Sequence, residues 1–457
     1  MRHPVPTPSE DFRGLLARLE SAGVLRRIKR EVDPRHFSTL LEQARGPLLF
    51  ERVKGYDSPA VGNVAGNRRC ITEGLRVADH DVGRRMLQAI EKPIPPVTVA
   101  TGPCKEVVYR GDDADLTMFP IPLISTKDGG PYIGGGIVVT RHPEFGRNVG
   151  YYRMMYRTPR ETNMGVLTHS DMYFNYTRAR EEGRPLQVAV AIGVHLTEQL
   201  AASYQAPLDV DEFAVAGGLR GEPVPLVRCE TVDLEVPADA EVVLEGEMLP
   251  DGWVHDEGRF GEWTWYLGEV VRMPLFRLTC ITTRRNPVFH ALHMPWENDW
   301  LKGPIVEGTA YRVLREARID AQAVNATPGG GCAAVLRVAI RKRAPGEGKD
   351  ALHALLAAIR PLKLAVVVDH DVDVYDDDQV DWALAFRVQP DRDLVVASGV
   401  RGTLLDPSTR PWELKPGEIA TTSKLGIDAT LPDRAPRGRF ERMQPIFHHD
   451  VKLEDYV

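Results

Sequence analysis

Between about residue 110 and residue 310 the chain runs through short, β-branched, partly alternating segments: "IGGGIVVTR", "LQVAVAIGVHL", "ETVDLEVP", "EVVLEGEML" and "MPLFRLTCI". Turn residues separate them, so the period-two pattern predicts strands. So many strands in succession predict a closed or folded-over sheet. Beyond residue 310 the period changes. "AAVLRVAIR" reads as a strand, "DALHALLAAIRP" as a helix, "KLAVVVDH" as a strand, "QVDWALAFRVQ" as a helix and "DLVVAS" as a strand. That alternation predicts an α/β domain with parallel strands. Ahead of the β-rich region, residues 9 to 25 read as an amphipathic helix carrying Phe12, Leu15, Leu16 and Leu19, with Ser9 as cap and Gly23 as stop. A proline-rich stretch from about 95 to 125 reads as a connector. A chain of 457 residues exceeds one ordinary core. The expected class is therefore α/β (α+β) in three parts: an N-terminal lobe over 1–110, a β-rich domain over 111–310 and a C-terminal α/β domain over 311–457.

Charge and targeting signals narrow the function. Fifty-seven basic against 64 acidic residues give a net charge of −7, which is no footprint for nucleic acid. "MRHPVPTPSEDFRGLL" has no apolar signal core, and no segment approaches eighteen unbroken apolar residues. The five cysteines, Cys70, Cys104, Cys229, Cys280 and Cys332, are far apart and form no CxxC pair. That pattern fits a reducing cytoplasm and argues against a cysteine zinc site.

The stretch "DEGRFGE" places Glu257 and Glu262 five residues apart around a Gly-Arg-Phe-Gly core. Neither a helix nor a plain strand aims both at one point. A bent or bulged backbone does, and glycine permits one; a polar surface loop is the plain alternative. Other segments carry single candidates. "NVGYYRMMYR" holds Asn148 and Arg153, "VLTHSD" holds His169, "DVDEFAVAGGLRGEPV" holds Glu212, and "TTSKLGIDAT" holds Lys424. Taken alone, Arg153 reads as a surface group over an aromatic, His169 as structural, Glu212 as a solvated acid, and Lys424 as a weak phosphate contact. Gly134 to Gly136 lack the GxGxxG pattern. The acidic run "VVVDHDVDVYDDD" has Val374 and Val380 where a calcium loop needs glycine and glutamate, so it reads as a solvated strand-to-helix turn. GxSxG, HExxH and P-loop signatures are absent.

Taken in order, Asn148, Arg153, His169, Glu212, "DEGRFGE" and "SKLGIDAT" resemble the UbiD family of prenylated-flavin-dependent decarboxylases, similar to ferulic acid and aromatic acid decarboxylases. The phrase "GLRGEPVPLVRCETVDLEVPADAEVVLEGE", 218 to 247, is the most specific part of a resemblance that runs to about residue 430. It implies a central split β-barrel that binds the flavin and a C-terminal oligomerisation domain, giving a homodimer or homohexamer. It also implies prenylated FMN, Mn2+ or Mg2+, and K+ as cofactors, with a flavin prenyltransferase as supplier. By position, Asn148, His169 and Glu212 match the divalent-metal ligands, and Arg153, Glu257 and Glu262 the catalytic trio. The segment Asn148, Val149, Gly150, Tyr151, Tyr152 and Arg153, with Thr168, His169, Glu212 and Lys424, matches the cofactor-contacting positions. Backbone carbonyls around Ala202, Ser203 and Tyr204 match the K+ site. Arg259 stands where many members have proline, in "EGPFGE", and Trp263 stands where relatives face substrate.

The chemistry agrees with that implication. Removing CO2 from an sp2 carbon needs an electron sink that no side chain provides. An amide, an imidazole and a carboxylate form a hard ligand set suited to Mn2+ or Mg2+. Arg153 is suited to hold a carboxylate in a fork, oriented by Glu257. Glu262 then delivers the proton, which requires its pKa to be raised by burial beside another acid. The acid itself stays open among furoic, pyrrole, indole, benzoic, cinnamic and polyketide-chain types. Trp263, the segment "MPWENDWLKG" and the region near Phe447 are expected to line its pocket. An FMN-dependent oxidoreductase on a split barrel, or a non-catalytic subunit that kept the fold, are the competing readings.

Overall fold

The computed structural model describes residues 10–456 except 167–169, 208–209, 416–417, 437, 444–445 and 447–449. The N-terminal region builds a four-stranded sheet ordered Arg26–Ile28, Leu48–Phe50, Ala60–Gly62 and Phe289–His290. Its first helix is Phe12–Ser21, capped by the Asp11 carboxylate accepting from Gly14 N; Ser9, the expected cap, lies outside the described residues. Phe12, Leu15, Leu16 and Leu19 are buried, as the helical spacing predicts.

The central sheet positions the site. Its order is Tyr132–Ile133, Met154–Thr158, Glu161–Asn163, Leu275–Thr283, Val242–Met248, Leu186–Ile192, Gly136–His142 and Gly146–Tyr151, with Val107–Arg110 also on Leu275–Thr283. All these pairings are antiparallel. The strand Gly146–Tyr151 ends the path on one side, and Met154–Thr158 lies next to the other end. Yet only Tyr152 and Arg153 separate them in sequence. Three peptide steps span at most about 10–11 Å, so the sheet has to curl until its ends nearly meet. This is the folded-over sheet expected from the sequence. Arg153 sits in the seam.

The C-terminal sheet is ordered Ala321–Ala326, Val335–Ile340, Leu364–Asp369, Thr421–Ala429 and Leu394–Arg401. Its middle three strands are parallel, as expected, but both outer strands run antiparallel. "TTSKLGIDAT" is one of the parallel strands, which the sequence reading had not assigned. In the acidic turn after Leu364–Asp369, Asp371 pairs with Arg387 (2.5 Å) instead of standing fully solvated. The 21-residue helix Trp296–Glu316 leads from the central region into this sheet and packs on Val82–Glu91 of the N-terminal lobe. No helix among the described residues is long and apolar enough to cross a membrane.

Candidate active site

Arg153 joins the two glutamates of "DEGRFGE". Its Nε donates to Glu257 Oε1 at 2.6 Å and its Nη1 to Glu262 Oε1 at 2.8 Å, while Nη2 lies 3.4 Å from Glu257 Oε2. Glu257 is 0% exposed and Glu262 9%. The guanidinium lies over Phe260, 5.2 Å from the ring centroid. Burial raises both carboxyl pKa values above the ordinary range, and the charge of Arg153 opposes that rise. For Glu262, Glu257 adds to the rise and Lys302 opposes it.

The local backbone explains how two acids five residues apart reach one arginine. Glu257 ends the strand His255–Glu257, which pairs with Val271–Met273. The chain then turns, and Gly261 bridges Leu267 so that Glu262 hangs from a tight loop, with Glu262 N donating to Tyr266 O at 2.9 Å. Gly258 does not use a left-handed conformation. Its role is close approach: a Cβ there would lie 2.2 Å from Gly129 Cα. The turn around Gly129 supports the loop through Asp128, whose Oδ1 accepts from Gly261 N at 3.1 Å. Tyr132 donates to Gly258 O at 2.9 Å. Arg259 donates from Nε to Gly268 O at 3.0 Å and so ties the two arms of the loop.

Gly165 makes room for the arginine itself, because a Cβ there would lie 2.7 Å from Arg153 Cγ. Gly165→Ala is expected to cost about 1–3 kcal/mol through overpacking and to displace Arg153. Denaturant unfolding beside the wild type measures the cost, and wild-type stability would show that the stem yields freely.

The metal and cofactor candidates fall in two groups. Asn148 and Glu212 line one small cavity of about 20 Å³, together with Arg147, Asp171 and Asn175. Glu212 starts the helix Glu212–Arg220, and its Oε2 accepts from Val149 N at 3.0 Å. Burial pushes its carboxyl up to about 8. Asn148 donates to Thr140 Oγ1 at 3.3 Å. Arg147 is held by Asp211 and by Glu235, the latter at 2.6 Å. Thr168 and His169 lie outside the described residues. Among the described residues no three His, Cys, Asp or Glu side chains form a metal-binding group. Val149 and Gly150 are buried in the seam strand, Tyr151 reaches Gln199 Oε1 at 3.5 Å, and burial pushes the Tyr152 hydroxyl up to about 12. Ala202 and Ser203 close the helix Leu196–Ser203, with Tyr204 as its cap; helix ends leave carbonyls unpaired.

Lys424 is not in this company. It does not line the Asn148–Glu212 cavity. Its strand lies inside the C-terminal sheet, and its ammonium donates to Leu356 O and Ile359 O, both at 2.8 Å. There it caps the end of the helix Glu347–Ala358.

A second cavity, of about 170 Å³, opens beside the arginine cluster. Ile124, Phe260, Glu262, Trp265, Tyr266, Met294 and Pro295 line it. Glu262 thus touches both the cavity and Arg153. Trp263 does not line it, but lies under Lys302, 4.5 Å from the ammonium to the ring centroid. Glu297 is spoken for: it accepts from Asn63 N (2.9 Å), Ala65 N (3.2 Å) and His293 N (3.1 Å), and pairs with His290 (2.8 Å). Trp300 is core, and Trp296 donates to Glu42 at 2.7 Å. Phe447 lies outside the described residues.

Comparison with known proteins fits this geometry. Three family models cover most of the chain: the N-terminal, Rift-related and C-terminal domains of 3-octaprenyl-4-hydroxybenzoate carboxy-lyase, at residues 16–90, 96–295 and 299–429. The chain belongs to the UbiD family. It is 34% identical to anhydromevalonate phosphate decarboxylase of Methanothermobacter thermautotrophicus, over 89% of this chain and 93% of that protein. It superposes on the UbiD-class enzyme HmfF of Pelotomaculum thermopropionicum in complex with FMN with a TM-score of 0.90 and 37% identity, over 98% of this chain and 100% of that one. An evolved dimeric form of HmfF in complex with prFMN gives 0.87 and 35%, over 98% and 100%. As a UbiD-family member the chain is a carboxy-lyase.

Proposed function

We propose that this UbiD-family enzyme catalyses the reversible, non-oxidative decarboxylation of an α,β-unsaturated or (hetero)aromatic carboxylic acid. The observation that carries the reading is the Arg153 bridge between two buried carboxyls, one of which lines a cavity. Arg153 holds the substrate carboxylate, Glu257 orients Arg153, and Glu262 gives a proton to the carbon that CO2 leaves. A fork that grips Glu257 through Nε and Nη2 leaves the guanidinium fixed in plane, which suits recognition of a planar carboxylate. Because burial raises the pKa of Glu262, it is suited to serve as the acid. Phe260, Trp265, Tyr266 and Met294 give the cavity apolar walls suited to an unsaturated or aromatic body.

Prenylated FMN supplies the electron sink when bound; relatives bind FMN and prFMN. The residues fit such a group. Asn148 and Glu212 present hard oxygen donors to one ion-sized cavity with Arg147 at its wall, an arrangement suited to Mn2+ or Mg2+ on a phosphate. His169 completes the set by sequence position, and the carbonyls of Ala202, Ser203 and Tyr204 are assigned to K+. Thr168 and the 148–153 segment remain the proposed cofactor contacts, whereas Lys424, whose ammonium is held by two carbonyls at a helix end, does not join them. A flavin prenyltransferase supplies the cofactor, and the enzyme assembles as a homodimer or homohexamer.

The test is co-expression with a flavin prenyltransferase in Mn2+ and K+, followed by a denatured-extract mass spectrum of the bound flavin. Prenylated FMN and CO2 release from one of a panel of furoic, pyrrole, indole, benzoic and cinnamic acids is the expected result. Plain FMN, or none, under conditions that load a relative would overturn the reading and favour an oxidoreductase or a non-catalytic subunit. Removing the divalent ion with EDTA is expected to release the flavin, read by its absorbance in the filtrate; retention would remove Asn148 and Glu212 from the cofactor site.

A further inference from the structure

The loop that carries Glu262 leans on the first turns of the helix Trp296–Glu316, and two charged residues of that helix meet it. Asp299 and Lys302, three apart, share one helix face. Asp299 Oδ2 accepts the indole N–H of Trp265 at 3.3 Å. Trp265 stands at the loop's turn in the left-handed region, φ +66°, with its backbone N donating to Glu262 O at 2.9 Å. A bulky residue in that conformation persists only where its surroundings hold it. Lys302 places its ammonium on the face of Trp263, the residue after Glu262, while Gly331 crowds the same indole: a Cβ there would lie 2.8 Å from Trp263 Cε3.

Neither the Lys302 ammonium nor Asp299 Oδ1 reaches solvent, and neither has a hydrogen-bond partner. A buried ammonium whose nearest compensation is an aromatic face is costly. Lys302 and Asp299 do not come within salt-bridge distance, so Asp299 acts on the lysine only through space. None of Trp263, Asp299 and Lys302 lines the 170 Å³ cavity.

We propose that Lys302, buried against the loop at Trp263, is a positioning residue for Glu262 that acts from behind the loop; the proposal rests on Glu262 being the proton donor. Glu262 is bonded to Arg153 from the seam, which also holds Glu257 of the strand His255–Glu257, and Lys302 of the long helix lies over the ring of the adjoining Trp263. Lys302 is in turn faced by Asp299 on its own helix and by Cys332 from the turn that follows Pro328–Gly330. The signs are opposed. Burial and Glu257 favour the protonated acid, whereas Arg153 and Lys302 favour the carboxylate. The lysine thus keeps Glu262 a strong enough acid to release its proton, and Asp299 moderates the lysine.

The test needs no substrate. The infrared carbonyl band of protonated Glu262, identified in the full-length protein by its absence from Glu262→Gln, is followed against pH. Lys302→Met is expected to move the midpoint up by about one pH unit, the scale of one charge acting at short range in a protein. Lys302→Arg restores it. Asp299→Asn keeps the Trp265 acceptor, frees the lysine's charge and moves the midpoint down. An unmoved midpoint in Lys302→Met overturns the proposal; if that variant does not fold, an unmoved midpoint in Asp299→Asn does so. Neither outcome bears on whether Glu262 is the donor, which Glu262→Gln turnover tests separately.

Discussion

Glu262→Gln should keep the fold and the cofactor but lose about 10²- to 10⁴-fold in turnover, the range by which a positioned general acid accelerates a reaction. The substitution is nearly isosteric. The amide oxygen can still accept from Arg153 Nη1, now 2.8 Å from Glu262 Oε1, and the backbone bonds to Tyr266 and Trp265 are untouched. What is lost is the dissociable proton. Turnover normalised to bound flavin checks this, and a near-normal rate would remove Glu262 from its role.

Arg153→Ala has the larger structural consequence. It leaves Glu257, with no exposed surface, and the nearly buried Glu262 without their shared cation. Breaking a buried pair by removing one partner costs about 3–5 kcal/mol. The pH dependence has a definite sign. Burial already raises both carboxyls and the arginine opposes it, so its removal lets both rise further. A carboxyl with a raised folded-state pKa is disfavoured as its unfolded counterpart ionises. The unfolded state then binds fewer protons than the folded state, and stability falls as pH rises from the ordinary carboxylate range through the folded pKa. Urea unfolding at pH 5 and pH 8 should show the variant losing more at pH 8. An equal loss at both would mean the two acids find other partners.

The broad architecture was legible because hydrophobic period reports local structure directly. Four of the five alternating runs became strands of the curled sheet, "ETVDLEVP" instead gave Glu235–Pro237 of a separate three-stranded sheet, and the tail's alternation became a layered α/β sheet. The direction of its outer strands was not legible, since pairing sense depends on connections that no local period encodes. Glu257 and Glu262 were visible as a pair, but the reason for Gly258 was not. A glycine that touches another backbone at Gly129, some 130 residues earlier in sequence, looks like any loop glycine. Asp128, Tyr132 and Gly165 were missed for the same reason, because each acts across a long separation. Lys302 gave no signal either: a lysine three residues from an aspartate on a helix ordinarily marks a solvated face. Lys424 shows the converse. Its small and hydroxylated neighbours suggested an anion contact, while its strand pointed it at a helix end.

The seam has a consequence for how such an enzyme can diversify. Arg153 is one of only two residues that carry the chain from one end of the central sheet to the strand next to the other end. An insertion there would let the sheet uncurl, and a deletion would leave the ends out of reach. Arg153, the proposed holder of the carboxylate, is therefore tied to closure of the curled sheet and has almost no freedom to move by changes in loop length. Trp265, Tyr266, Met294 and Pro295 sit on a separate loop and at the approach to the long helix. On the proposed reading, new substrate shapes are accommodated by remodelling that wall, with the reactive end of the acid held in the same place.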